Sequence, residues 1–259
     1  IPTIDFSMGD DDVIRNFTEV ALKLGFSKAK GRKAAVAGIR AQREFEAEAV
    51  ETGRRIIEQL RRSGKLGVIV FARSYMSQDS GANLGIAEKL AQLGVTPIPL
   101  DFLPLKSVDI KQYSDRPYWY YESKHIAGAA LTVNDPQLYG LILTNFGCGP
   151  NSFVIKMVED IMGGKPLGQL EIDEHAAEAG LVTRLEAFVD TINGFAASGK
   201  QASGWDDSAY RTAPVSVNTD KTILLPRMAP QAEMLAAAMQ AFGVKATVLS
   251  ESTPEALLD

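Results

Sequence analysis

Leu66-Gly67-Val68-Ile69-Val70-Phe71 is a short continuous apolar run, with Gly64 and Lys65 before it and Arg73 and Ser74 after it. Such a run, bounded by turn and polar residues, predicts a strand buried on both faces of a parallel sheet. Working outward, a helix over 81–93 follows, then a strand over 95–100, a helix over 118–133 and a strand over 138–144. A helix over 150–162 with proline in its first turn, a strand over 167–172 and a helix over 176–197 continue the alternation. Strands alternating with helices of this length imply βαβ units with right-handed crossovers and helices on both faces. The expected fold class is α/β, a three-layer parallel-sheet domain of the flavodoxin/Rossmann-like kind.

Upstream, residues 10–25 read as a helix with Asp10, Asp11 and Asp12 available to cap it and to complement its dipole. Residues 28–63 read as one long helix rich in Ala, Glu, Arg and Gln, with Gly64 as its stop. Downstream, 198–217 is rich in Ser, Gly, Thr, Asp and Pro and reads as a linker. A strand over 221–226, a helix over 231–242 and a strand over 246–249 form one partial second βαβ unit. The division expected is a helical segment over 1–65, an α/β domain over 66–197, and a linker plus the start of a second α/β domain over 198–259. One such unit cannot bury both faces of its sheet, and the chain opens Ile1-Pro2-Thr3, so a piece of a longer protein is expected.

Composition narrows the function classes. A hydrophobic fraction of 46% and a charged fraction of 23% are those of a globular chain. Net charge is −5 and there is no long basic run, which argues against a nucleic-acid partner. Arg54, Arg55, Arg61, Arg62 and Lys65 alternate with Glu51 and Glu58, as on a solvated helix face. One cysteine cannot form an internal disulfide, and no apolar run approaches the ~20 residues that span a bilayer. A cytoplasmic location without membrane contact is therefore expected.

Ligands of open parallel sheets bind beyond the carboxyl ends of the strands. The loop after the first strand offers Arg73, Asp79 and Asn83, and the loop after the second begins at Asp101. The third is followed by Asn145-Phe146-Gly147-Cys148-Gly149-Pro150 and the fourth by Asp173-Glu174-His175. Cys148 lies between Gly147 and Gly149 just before a helix. The glycines allow unusual backbone angles or close approach of a ligand, and a helix N-terminus favours the thiolate. A small buried thiol in a tight turn is the structural alternative. Asp173 and His175 suit metal ligation, acid–base work or helix capping. A thiol nucleophile at Cys148 with His175 as base is a further option, though no orienting triad is visible in the spacing.

Other motifs carry less. Residues 194–200 have the glycine and lysine spacing of a phosphate loop, yet follow a helix, and Gln201 stands where a hydroxyl residue would hold magnesium. Met162-Gly163-Gly164-Lys165-Pro166 reads as a turn. Tyr118-Trp119-Tyr120-Tyr121 reads as core and helix surface, with pocket lining as the alternative.

The Asn-Phe-Gly-Cys-Gly-Pro stretch at 145–150, followed by Glu171-Ile172-Asp173-Glu174-His175 and by Thr183-Arg184-Leu185-Glu186-Ala187-Phe188, resembles the large activase-related proteins of the 2-hydroxyacyl-CoA dehydratase system. The resemblance extends more diffusely along most of the chain. It implies the dehydratase-subunit-like region of such a protein, not the ATP-hydrolysing activase module that precedes it. The system delivers an ATP-driven low-potential electron, and its related subunits bind four-iron four-sulfur clusters through cysteines from several loops. The implied partners are therefore an ATPase activase module and other domains of the parent chain, and a dehydratase or acyl-CoA.

Cys148 would then be a cluster ligand in the full-length protein, with Asn145, Asp173 and His175 around it and Arg73, Asp79 and Asn83 lining the crevice. One departure is Ala72-Arg73-Ser74-Tyr75, where the family has glycine-arginine-proline-tyrosine. The other is the single cysteine, because a cubane takes about four thiolates. A stable cluster is not expected in this stretch alone. The competing expectation is an acyl-CoA or small-molecule binding module, or an interaction scaffold, without its own redox centre.

Overall fold

The computed structural model describes residues 4–114, 117, 119–145, 147, 149–173, 178–206 and 220–251. In chain order its helices are α1 (Asp10–Lys23), α2 (Lys28–Ser63), α3 (Ser74–Gln78), α4 (Ile86–Gln92), α5 (Tyr120–Val133), α6 (Gly149–Met162), α7 (Glu178–Ala197) and α8 (Gln231–Ala241). The strands are β1 (Gly67–Phe71), β2 (Thr96–Pro99), β3 (Leu138–Thr144), β4 (Leu167–Glu171), β5 (Ile223–Leu225) and β6 (Ala246–Val248). The chain divides into two compact units, Ile1–Asp206 and Asp207–Asp259.

In the first unit β1 to β4 form a parallel sheet of order β2-β1-β3-β4. Alternate side chains leave opposite faces of a strand, and both faces are apolar here. Val68, Val70, Tyr139, Leu141 and Leu143 pack under α4 and α7 with Ile86, Leu90, Leu185 and Ile192. Ile69, Phe71, Leu138 and Ile142 pack on the other face with Leu60 of α2, Ile126 and Ala129 of α5, and Val158 and Ile161 of α6. The result is the three-layer α/β arrangement expected from the strand pattern. Each such buried side chain contributes about 1.5–3 kcal/mol. Phe71 is fully buried because Gly128 and Gly140 make room for it; a Cβ on either would stand 3.0 Å from its ring.

β2 lies at one edge of the sheet, with Pro97 and Pro99 opposite Val68 and Val70. Between β2 and α5 the chain forms short 3-10 turns at Leu100–Phe102, Leu105–Ser107 and Ile110–Gln112, which the sequence pattern did not anticipate. These turns meet α2. Gly53 is the contact point, where a Cβ would stand 2.0 Å from the Phe102 carbonyl oxygen.

The long helix runs over the residues expected, capped by Ser27, whose Oγ accepts from Lys30 N, and closed by Gly64 at φ 68°. Its basic stretch is a solvated face: Arg54 pairs with Glu51 and Glu58, and Arg61 reaches across to Asp135 at 2.7 Å. α1 packs on α2 where Gly31 would place a Cβ 2.7 Å from that of Ala21. The capping expected of the aspartates is corrected. Gly9, at φ 90°, is the N-cap and makes no side-chain cap bond, while Asp10 pairs with Arg43 of α2 and Asp12 with Arg15.

The helix expected over 81–93 begins later, at Ile86. Asp79 Oδ1 accepts from Ala82 N at 2.9 Å, and Asn83 Oδ1 accepts from Gly85 N and Ile86 N at 3.0 and 3.2 Å. Leu84 and Gly85 are left-handed, at φ 55° and 68°. Local side-chain bonds thus hold a turn where the pattern alone reads helix. The phosphate-loop-like stretch is the last turn of α7 and the turn after it.

The turn at Met162–Pro166 has Gly163 and Gly164 at φ 54° and 79° and is tied to Ser203, whose N–H donates to the Gly163 carbonyl at 2.7 Å. It also carries a buried lysine. Lys165 Nζ donates to the carbonyls of Thr132, at 2.9 Å, and Asp135, beyond the end of α5, and lies 5.0 Å from the Tyr139 ring centroid.

In the second unit β5 and β6 pair in parallel, with α8 as the crossover between them. Most of the stretch expected to be a linker, 207–217, lies outside the described residues.

Candidate functional site

The order β2-β1-β3-β4 makes the chain leave β1 toward one side of the sheet and return on the other, so the switch point lies between β1 and β3. Connections diverge there and leave a crevice at the carboxyl ends. A cavity of about 120 Å³ occupies that position. Arg73 enters it from the end of β1, Thr144 and Asn145 from the end of β3, and Asn151 from the start of α6. The first turns of α5 supply Trp119, Tyr121, Glu122 and His125, and Ile142, Val154 and Ile155 complete the apolar wall.

Asn145 connects three of the loops that follow strands. Its Oδ1 accepts from Tyr75 Oη at 3.1 Å, and its Nδ2 donates to the Ile172 carbonyl and approaches Met76 Sδ, both at 3.2 Å. Asn151 Nδ2 donates to Thr144 Oγ1 at 2.8 Å, which ties the end of β3 to the first turn of α6. A rigid rim of this kind keeps a site in shape before any ligand arrives.

The α5 side is equally built. Glu122, 7% exposed, accepts from Trp119 N at 3.4 Å and so caps its own helix. The His125 ring lies 5.8 Å from that of Phe71, and its Nδ1 sits 2.7 Å from the Tyr121 carbonyl oxygen. Burial pushes the His125 pKa down to about 4, with the Tyr121 carbonyl and Asp101 opposing the shift and Lys124 and Arg73 adding to it. The imidazole is neutral at neutral pH.

The next residues of the same turn face elsewhere. Tyr120, Ser123 and Lys124 line a groove of about 1000 Å³ between α2 and α5, whose apolar floor includes Phe45, Val50 and Leu103. At its polar end Asp101 accepts from Lys124 Nζ at 2.7 Å and from Ser74 Oγ at 3.2 Å. Burial works against the Lys124 charge, yet the Asp101 carboxylate and the Tyr120 hydroxyl outweigh it and hold the pKa above the ordinary lysine value, and Nζ lies 4.7 Å from the Tyr120 ring centroid.

Of the residues singled out from sequence, Arg73 and Asn145 meet in the crevice. Asp79 and Asn83 do not line it; they hold the turn before α4, and Asn83 is buried with its Nδ2 on the Met76 carbonyl at 2.8 Å. Asp173 is exposed beyond β4. A Cβ on Gly147 or on Gly149 would meet nothing within 4 Å. Cys148 and His175 lie outside the described residues, as does Tyr118.

Sequence reasoning passed over Glu122 and His125 and read the aromatic stretch as core and helix surface, with pocket lining as the alternative. In the structure Trp119 and Tyr121 line the crevice, and Tyr120 is 68% exposed in the groove. The available signal was the Glu122 and His125 pair, three residues apart, on the apolar face that also carries Ile126 and Ala129.

The fold and the crevice define a parallel α/β protein with a cavity at the switch point. Residues 1–103 match the family model described as CoA enzyme activase uncharacterised domain. That stretch spans α1, α2, β1 and β2 with Arg73, and in it the resemblance to activase-related proteins holds. The motifs at 145–150 and 171–188 lie beyond it. No curated protein and no solved structure matches the chain. Among the described residues no helix is long and apolar enough to cross a membrane, and no three His, Cys, Asp or Glu side chains are grouped to hold a metal ion.

Proposed function

We propose that the chain is a domain of an activase-related protein of the 2-hydroxyacyl-CoA dehydratase system, and that its switch-point crevice is a wall of the site for an acyl-CoA or an iron–sulfur centre. The observation that carries this reading is the position of Asn145. The first residue of the Asn-Phe-Gly-Cys-Gly-Pro motif braces the loops after β1, β3 and β4 around the cavity.

The acyl-CoA side of the reading is supported by the arrangement of the two spaces. One turn of α5 separates a small crevice of about 120 Å³ from a groove of about 1000 Å³. The acyl end of a thioester would enter the first and the longer carrier the second; the groove lies at the top of the range of about 300–1,000 Å³ typical of small-molecule sites, and the crevice below it. The start of α6 presents backbone N–H groups suited to an anionic group.

For a cluster, the chain's own donor set does not fit. It has one cysteine, whereas a cubane takes about four thiolates. In this reading Cys148 supplies at most one ligand, the rest coming from other domains or a partner. The location proposed is cytoplasmic, and the partners are an ATPase activase module and a dehydratase.

Titration calorimetry with acetyl-CoA, on the chain and on an Asn145→Ala variant, tests the binding reading. Saturable heat that weakens in the variant supports it; no heat with any acyl-CoA counts against it. An anaerobic iron and acid-labile sulfide assay of the protein together with its ATPase partner tests the other half. Identical iron with Cys148 and with Cys148→Ala removes the cluster from this site. The domain then acts as a binding module or scaffold.

A further inference from the structure

His125 is 6% exposed, and the bond from Nδ1 to the Tyr121 carbonyl places its proton on that nitrogen. The lone pair is therefore on Nε2. No described residue hydrogen-bonds Nε2, although the ring lines the crevice. Nε2 is not closed off from solvent, so it opens to the crevice as an acceptor that the protein itself leaves unused. The crevice is lined by Trp119, Tyr121, Ile142 and Val154 beside the polar Arg73, Glu122, Asn145 and Asn151.

We propose that His125 is a ligand-binding residue, and that the crevice takes a small apolar group bearing one O–H or N–H that donates to its Nε2. A ligand of this chemistry satisfies the acceptor and buries its body against the aromatic wall, and it fits a cavity of about 120 Å³. The ring does not need to change its proton to do this, because it is neutral and held in one tautomer by the Tyr121 carbonyl. The inference rests on reading the crevice as the binding site and specifies what that site recognises.

The test uses phenol and toluene, which match in shape and differ in the donor. The chain has two histidines, so ring-¹⁵N labelling in a His175→Gln background reports His125 alone. The expected spectrum shows a protonated Nδ1 and a bare Nε2 at neutral pH. Phenol moves the Nε2 resonance and toluene does not. The phenol-to-toluene affinity ratio falls about fivefold to tenfold in His125→Phe, as expected for loss of one neutral hydrogen bond. His125→Gln, which keeps an acceptor, retains part of the preference.

A protonated Nε2, or a ratio unchanged by His125→Phe, overturns the inference while leaving the crevice as a site if acetyl-CoA still binds. If neither probe shifts the backbone amides of Thr144 and Asn145, the crevice is closed to ligands. The site reading and this inference then fall together.

Discussion

Replacing Gly53 by alanine should destabilise the protein, although the same change at a helix interior normally stabilises it. Glycine costs about 1 kcal/mol relative to alanine within a helix, so Gly38→Ala, where a Cβ meets nothing within 4 Å, should gain roughly that amount. At Gly53 the same Cβ would stand 2.0 Å from the Phe102 oxygen and 2.8 Å from its carbonyl carbon. Van der Waals contact between carbon and oxygen needs over 3 Å, so α2 and the turn after β2 must separate by roughly 1 Å. The obstacle is backbone on both sides and cannot be relieved by a rotamer change. Overpacking of this kind costs about 1–3 kcal/mol, and rigid backbone lies at the upper end. After the propensity gain, a net loss of about 2 kcal/mol is expected, so the two variants should differ by about 3 kcal/mol. Urea unfolding followed by tryptophan fluorescence measures this cleanly, because Trp119 and Trp205 both lie in the first unit. If Gly53→Ala proves as stabilising as Gly38→Ala, the close approach of α2 to the 3-10 turns is refuted, and with it the shape of the groove.

Lys165→Met should cost about 1–3 kcal/mol in the same assay, because two buried carbonyls at the end of α5 each lose one of two donors, at about 0.5–1.5 kcal/mol per hydrogen bond; no measurable loss would show that water replaces the ammonium. For His125, the folded pKa of about 4 lies below the unfolded value near 6.5, so the unfolded chain takes up a proton first. The stability contribution is complete above pH 6.5 and is lost as pH falls toward 4, by roughly 3 kcal/mol. Unfolding midpoints of His125→Phe measured from pH 7 to 4 should lack that component. Gly149→Ala should leave stability unchanged or slightly raised, since its Cβ meets only open space, yet weaken acetyl-CoA binding in calorimetry; unchanged affinity would remove the ligand from that side of the crevice.

The parts of the fold that were legible in the sequence are those set by local pattern. The runs at 67–71 and 138–144 are apolar on both faces and became central strands, and α2 has an uninterrupted helical composition between Ser27 and Gly64. Parallel alternation then located the crevice without any knowledge of strand order. Side chains whose role comes from tertiary burial were not legible. Nothing near His125 or Lys165 in the chain announces that Phe71 will cover one and Tyr139 the other. The turns over 100–112 escaped notice because 3-10 segments of three residues have no periodicity to read. Asp79 and Asn83 looked like site residues because they follow β1, but their oxygens are used by the backbone of their own turn.

Thr96 donates its N–H to the carbonyl of Leu66, just before β1, so the alternate positions of β2, Pro97 and Pro99, are those whose N–H would point away from the sheet. Proline has none to offer. The outer side of β2 therefore lacks the donors that a neighbouring chain would need to add itself as another strand, and uncontrolled growth of the sheet in that direction is blocked by chemistry instead of by a covering element. A change of Pro97 and Pro99 to valine would preserve β1 pairing and the apolar core while reopening that side to self-association.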